Sequence, residues 1–140
     1  MSGDSIQKKV HKKCLICGNE NPWSLGLNFQ LAKDGWVYSE FQAHDKLQGY
    51  DGILHGGIIS SLLDSAMTNY LFFHDVEAVT GELLVRFLYP IDCKSKLIIR
   101  ANSLLDSAPL YVVKAEIVYE DKIMAKAEGK FMRRYFTYAK

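Results

Sequence analysis

Between Asp51 and Asp75 the chain carries one formal charge, the carboxylate of Asp64. An unpaired carboxylate is costly to bury, so this group must be paired, neutralised or used. Desolvation also raises its pKa and makes it a better base than an exposed Asp. Just upstream stands Leu54-His55-Gly56-Gly57, which offers no Ser, Thr, Asp or Asn at the expected N-cap. The first helical N–H groups are therefore expected to lack their usual side-chain acceptor. Two successive glycines let a foreign atom approach that backbone closely. Free N–H donors at the positive end of a helix dipole suit an oxyanion or a polarised carbonyl oxygen. An oxygen hole with a base about two turns further on is half of an acyl-transfer site.

The cysteines offer other chemistry. Cys14 and Cys17 form a CxxC, and Cys93 stands alone far downstream. A closed zinc site needs about four ligands, and one CxxC supplies two. His11 is a conceivable third, with Cys93 or His44 a forced fourth. The odd count favours reduced structural thiols over a disulfide framework, and no metal is expected.

Which elements must position these groups? Leu25, Leu27, Phe29 and Leu31 alternate with polar residues and predict a strand, followed by an Asp34-Gly35 turn and a second strand over Trp36–Ala43. From Gly57 the period becomes 3.6, through Ile58, Ile59, Leu62, Leu63, Ala66, Met67, Tyr70 and Leu71, which predicts a helix of about four to five turns. Its stripe of Gly57, Ser60, Ser61, Asp64 and Thr68 has no Lys, Arg or Glu. The sheet is expected on one side of this helix and something else, such as a partner subunit, on the other. Four further strands are expected over Val79–Tyr89, Lys96–Leu104, Leu110–Glu120 and Lys122–Met132. Short connections favour antiparallel pairing, giving an α+β architecture with one helix against one curved sheet. A basic, flexible arm is expected over 1–13 and a single domain over 14–140.

Composition narrows the possibilities. With 49% hydrophobic residues the chain can bury a core, and its formal net charge of +1 gives no case for nucleic acid as the main partner. No run reaches the ~18 apolar residues of a membrane-spanning helix. Met1–Lys13 has no apolar centre of the secretory kind, so a cytoplasmic protein is expected.

Gln48-Gly49-Tyr50-Asp51-Gly52-Ile53-Leu54-His55-Gly56-Gly57, followed by Leu62-Leu63-Asp64-Ser65-Ala66, resembles the HGG…D signature of hotdog-fold acyl-CoA thioesterases of the PaaI type. Thr80 with Leu83, Val85, Phe87 and Tyr89-Pro90-Ile91 is similar to that branch's strand. Cys14-Leu15-Ile16-Cys17-Gly18, with Asn21-Pro22 and Leu25-Gly26-Leu27, resembles the N-terminal segment of many members. The resemblance implies a six-stranded antiparallel sheet wrapped around one long central helix. It also implies homodimers with active sites at the interface, which often pair again into tetramers.

By the same resemblance the substrate is an acyl-CoA, with no metal and no redox cofactor; from the charge and the apolar runs, no nucleic acid and no membrane partner are expected. The Gly56 N–H would polarise the thioester carbonyl. Asp64 from the opposite subunit would act as nucleophile or as base toward water, and Thr80 would hold Asp64 or the water. Gly57 permits the close turn, His55 braces the loop, and Ser61 lies on the substrate-binding stripe. The Asn found six residues before the His in some members falls here on Gly49, which makes Gln48 the candidate to contact the carbonyl or orient water. A non-catalytic acyl-CoA-binding module is the alternative. A dehydratase is a further one, disfavoured because no HFP-type motif is present.

Overall fold

The computed structural model describes residues 2–134, with side chains from residue 6 onward; residues 135–140, inside the expected domain bounds, lie outside it. The chain runs α1 (Ser2–Val10), β1 (Gln30–Leu31), β2 (Val37–Gln42), a 3-10 turn (Asp45–Leu47), α2 (Gly56–Phe72), β3 (Ala78–Phe87), β4 (Lys96–Ser107), β5 (Leu110–Tyr119) and β6 (Lys122–Arg133). The six strands form one antiparallel sheet in the order β1-β2-β4-β5-β6-β3. The long helix α2 packs against β2 through β6. This is the hotdog architecture that the sequence resemblance implies.

Alternation along the strands builds the core. Tyr111, Val113, Ala115 and Ile117 of β5 are buried, as are Ala125, Ala127 and Phe131 of β6. Ile123, expected on the same dry face, is half-buried instead. The register shifts opposite Ile117 and Val118, and Met124 occupies the extra position and turns inward. Gly129 of β6 lets the helix come close, since a Cβ there would lie 3.1 Å from Met67 Cε and 2.6 Å from the Phe131 ring.

One expectation needs correction. The strand expected over Leu25–Leu31 shrinks to two residues, although Leu27 and Phe29 are buried as its alternation requires. Its backbone bonds go elsewhere: Leu25 N–H donates to Leu15 O at 2.9 Å, Leu27 N–H to Ile16 O at 3.1 Å, and Asn28 N–H to Ser39 Oγ at 3.1 Å. The cysteine loop has taken the place of a neighbouring strand.

The segment expected as an arm over 1–13 contains a helix. Residues Ser2–Val10 form α1, which lies against α2, and the His11 ring meets Phe72 edge-on at 5.0 Å. Part of the helix face left for a partner is thus covered by the chain's own N-terminal segment. Lys12 and Lys13, on the far side of that segment, stay exposed.

Candidate active site

Asp64 sits mid-way along α2 and faces β3. Thr80 of that strand donates its hydroxyl to Asp64 Oδ1 at 2.6 Å, across 16 residues of sequence. Burial pushes the Asp64 carboxyl above the usual carboxylate range. The Thr80 hydrogen bond offsets part of that rise; nearby Cys14 adds to it and nearby His11 lowers it. With Oδ1 held by Thr80, Oδ2 is the oxygen left to accept a proton or attack an electrophile.

At the start of the helix, the expectation of uncapped amides is half right. His55 is the N-cap, with φ −62 and ψ 134, and its Nδ1 accepts from Gly57 N–H at 2.8 Å. That bond puts Nδ1 in its unprotonated form, with the neutral ring's proton on Nε2. A Cβ on residue 57 would stand 3.0 Å from His55 Nδ1, so glycine there makes room for the ring to fold over. His55 therefore braces the turn. The Gly56 N–H, one residue earlier, has no hydrogen-bond partner among the described residues. Like the Ile58 N–H two residues on, it lies outside both the cap and the helical ladder, whose first bond is Ile59 N–H to His55 O at 3.0 Å.

The cap carries its own expected result. His55→Leu removes the only side-chain acceptor at the helix start among the described residues and should destabilise the protein by about 0.5–2 kcal/mol, whereas His55→Asn should keep most of it. Urea unfolding of the two variants checks this.

Gln48, His55, Gly57 and Ser61 line one open groove of about 300 Å³, with Lys46, Leu47 and Ile58. Gln48 Oε1 accepts from Gly52 N–H at 2.8 Å, which leaves its amide NH2 as the donor available to the groove. Ser61 donates to Gly57 O at 2.9 Å and keeps lone pairs free. Thr68, expected on the same polar stripe as Asp64, is buried instead. One contact escaped the sequence: the Phe87 ring, at the end of β3, lies 3.6 Å from where a Gly56 side chain would begin. No periodicity signals it, because it joins a strand end to a helix start.

The basic residues near the C-terminus are engaged within the chain. Lys130 pairs with Glu82 at 3.5 Å, Arg134 with Glu77 at 3.3 Å, and Arg133 donates to Tyr111 Oη at 2.6 Å. Tyr70 and Phe72 belong to the core, and Tyr70 stacks on His74 with ring centroids 4.4 Å apart.

A second cluster lies beyond α2. The ligand atoms of His11, Cys14 and Cys17 all fall within 4.8 Å of one another, and Cys93 and His44 are not among them. Cys17 holds the Cys14 thiol far below its ordinary value, at about 3, with help from His11 and two backbone N–H groups against the cost of burial. The Cys17 thiol is pushed up correspondingly, by Cys14 first and burial second.

Residues 51–104 match the family model of the thioesterase superfamily. A protein of Saccharolobus solfataricus with the provisional name of esterase is 33% identical over 69 residues, which are 48% of this chain and 46% of that one. The chain thus spans about half the length of this curated relative. Among solved structures, a thioesterase superfamily protein superposes with TM-score 0.77 at 22% identity, over 82% of this chain and 60% of the other. The PaaI protein of the E. coli phenylacetic acid degradation operon gives 0.72 at 24% identity, over 78% and 80%. A Streptococcus mutans protein bound to acetyl CoA gives 0.71 at 22%, over 76% and 87%. The segment that holds Gly56, Asp64 and Thr80 is thus similar to the thioesterase superfamily, and the fold around it is that of the hotdog structures it superposes on.

Proposed function

We propose that this protein hydrolyses acyl-CoA thioesters to a free carboxylic acid and coenzyme A, at sites each built by two copies of the chain. One observation carries the proposal: a half-buried acid held by Thr80 and an unpartnered Gly56 N–H stand on one helix, too far apart to serve one carbonyl. Eight residues of α-helix separate them, about 12 Å at ~1.5 Å per residue. Reacting groups must come within about 3–3.5 Å. A second copy supplies the missing half. The β3 strand is a sheet edge, and exposed Leu84, Phe87, Leu88 and Tyr89 lie on and just past it. Such an edge is a template for pairing with another chain. The acetyl-CoA-bound neighbour of the same fold supports a CoA thioester as the substrate class. Three free thiols support a cytoplasmic setting.

In the reaction, the thioester carbonyl oxygen lies on the Gly56 N–H of one copy, beside the Gln48 amide. Asp64 of the other copy takes a proton from water as the water oxygen bonds to the carbonyl carbon, and the Gly56 N–H stabilises the charge that develops on the carbonyl oxygen. Collapse breaks the C–S bond, and the departing thiolate takes up the proton. If Asp64 attacks directly, an anhydride forms and water cleaves it, with the same groups in the same places.

Release of free thiol from a panel of acyl-CoAs tests the activity; binding without turnover would identify a non-catalytic module instead. Co-expression tests the shared site. Chains carrying Gly56→Pro and Asp64→Asn, each nearly inactive alone, should regain about half of wild-type turnover per mixed dimer. One of its two sites then keeps both groups. Mixed dimers as inactive as their parents would place the whole site within one copy.

Thr80 supplies a pH prediction. The folded Asp64 pKa lies above its ordinary value, so the acid limb of kcat/KM should fall above the usual carboxylate range. Thr80→Val removes the hydrogen bond that lowers it, so the limb should move to higher pH. Turnover should drop about tenfold or more, given about 1.5–3 kcal/mol for a hydrogen bond to a charged group.

A further inference from the structure

We propose that His11, Cys14 and Cys17 form a binding site for a thiophilic divalent cation of the zinc type. It lies near Asp64 but with ligands that the acyl-transfer chemistry does not use. Tetrahedral zinc, with Zn–S ~2.3 Å and Zn–N ~2.0–2.1 Å, sets the S···N edge at about 3.5 Å. His11 Nδ1 and Cys17 Sγ are 3.7 Å apart, and all three ligand atoms lie within 4.8 Å of one another. The sequence alone favoured no metal, because CxxC gives two ligands and the remote candidates were forced. The fold changes the count by bringing His11 off the end of α1 onto the two thiols.

The loop is built to hold thiolate ligands. Ile16 N–H and Cys17 N–H both point at Cys14 Sγ, at 3.3 and 3.5 Å, and Gln7 Nε2 reaches Cys17 Sγ at 3.6 Å. Donors around a ligating sulfur orient it and stabilise its charge. The turn closes through Gly18 N–H to Cys14 O at 2.9 Å. A Cβ on residue 18 would lie 2.5–2.6 Å from backbone atoms of Cys14 and Lys12, so only glycine lets the two sulfurs converge. The His11 ring is fixed on its other side by Phe72. An adjoining cavity of about 430 Å³, lined in part by Gln7, Cys17, Gly18 and Asn69, gives the ion a way in. Three protein ligands leave a fourth position for water or a small exogenous donor. The ion would tie α1 and the cysteine loop to α2, a structural role that needs no part in thioester chemistry.

The test uses the full-length protein, reduced, stripped with a chelator and given Zn²⁺ or Co²⁺ alone. We expect about one ion per chain after gel filtration, a Co²⁺ spectrum with thiolate charge-transfer absorption, and X-ray absorption showing two sulfurs and one imidazole nitrogen. Cys14→Ser, Cys17→Ser and His11→Ala should each weaken Zn²⁺ binding more than about tenfold, while Cys93→Ser should leave it unchanged. Zn²⁺ should also slow tryptic cleavage at exposed Lys12 and Lys13. No thiolate band with the wild-type protein, which needs no variant to fold, would overturn the proposal; so would a band that survives both cysteine substitutions. Because the readout is metal binding, a protein that hydrolyses no thioester leaves this test intact.

Discussion

Replacing Gly56 with Pro should lower kcat by about 10²–10³-fold while the protein stays folded, the loss typical of one oxyanion-hole donor. A backbone donor is ordinarily beyond the reach of mutation, but this one occupies the first position of α2, where proline is well tolerated. Proline has no N–H, and at this position the N–H serves no hydrogen bond in the fold. His55, the preceding residue, already has the extended backbone that a following proline demands. The nearest group is the edge of the Phe87 ring, at an ordinary contact distance of 3.6 Å. The substitution therefore replaces the amide hydrogen with the proline ring's Cδ and keeps the helix entry in place. Circular dichroism should be unchanged, and Gly56→Ala, which keeps the N–H, should retain most activity. If Gly56→Pro turned over acyl-CoA like the wild type, the carbonyl would not lie on this amide.

Asp64→Asn should reduce kcat by about 10²–10⁴-fold with a small change in KM, the range expected for a positioned general base. Its effect on stability runs the other way. In the folded protein the Asp64 pKa is raised by burial, so between the unfolded value and the raised folded value the native state holds more protons. This group's stabilising contribution is complete below the unfolded pKa and is lost as pH rises through the folded one. At neutral pH the ionised Asp64 is a burden, and the neutral Asn should leave the melting temperature equal or higher. Thr80 can still donate to the Asn oxygen. Activity lost while stability is kept or gained marks a residue retained for chemistry. A variant that lost both together would point to a packing role instead.

Much of this was legible from residue types and spacing. A single carboxylate in a helix free of other charges, and two glycines at its start, require no coordinates to be recognised as unusual. The alternation in β5 and β6 assigned the core face because a strand's side-chain period is two. The Asp34-Gly35 turn was equally local: Gly35 adopts φ 93, and Asp34 Oδ1 accepts from Trp36 N–H at 3.1 Å.

Tertiary structure decided where backbone donors and acceptors find partners, because those choices depend on neighbours remote in the chain. Residues 25–29 alternate like a strand, yet the cysteine loop claims the N–H groups of Leu25 and Leu27. The amide at Gly57 is capped by a histidine, which the usual capping preferences would not nominate, because glycine at 57 leaves room for its ring. His11, offered by its spacing as a third ligand, turns onto Cys14 through Cys14 N–H to His11 O at 3.0 Å, and packing against Phe72 of α2 sets its ring. Asp64 and Thr80 meet across a helix–strand contact, whereas Asp64 and Gly56, close in sequence, are held apart by the rise of the helix. The sequence by itself determined which groups are available for chemistry; the packing of α1, α2 and β3 determined which of them can touch.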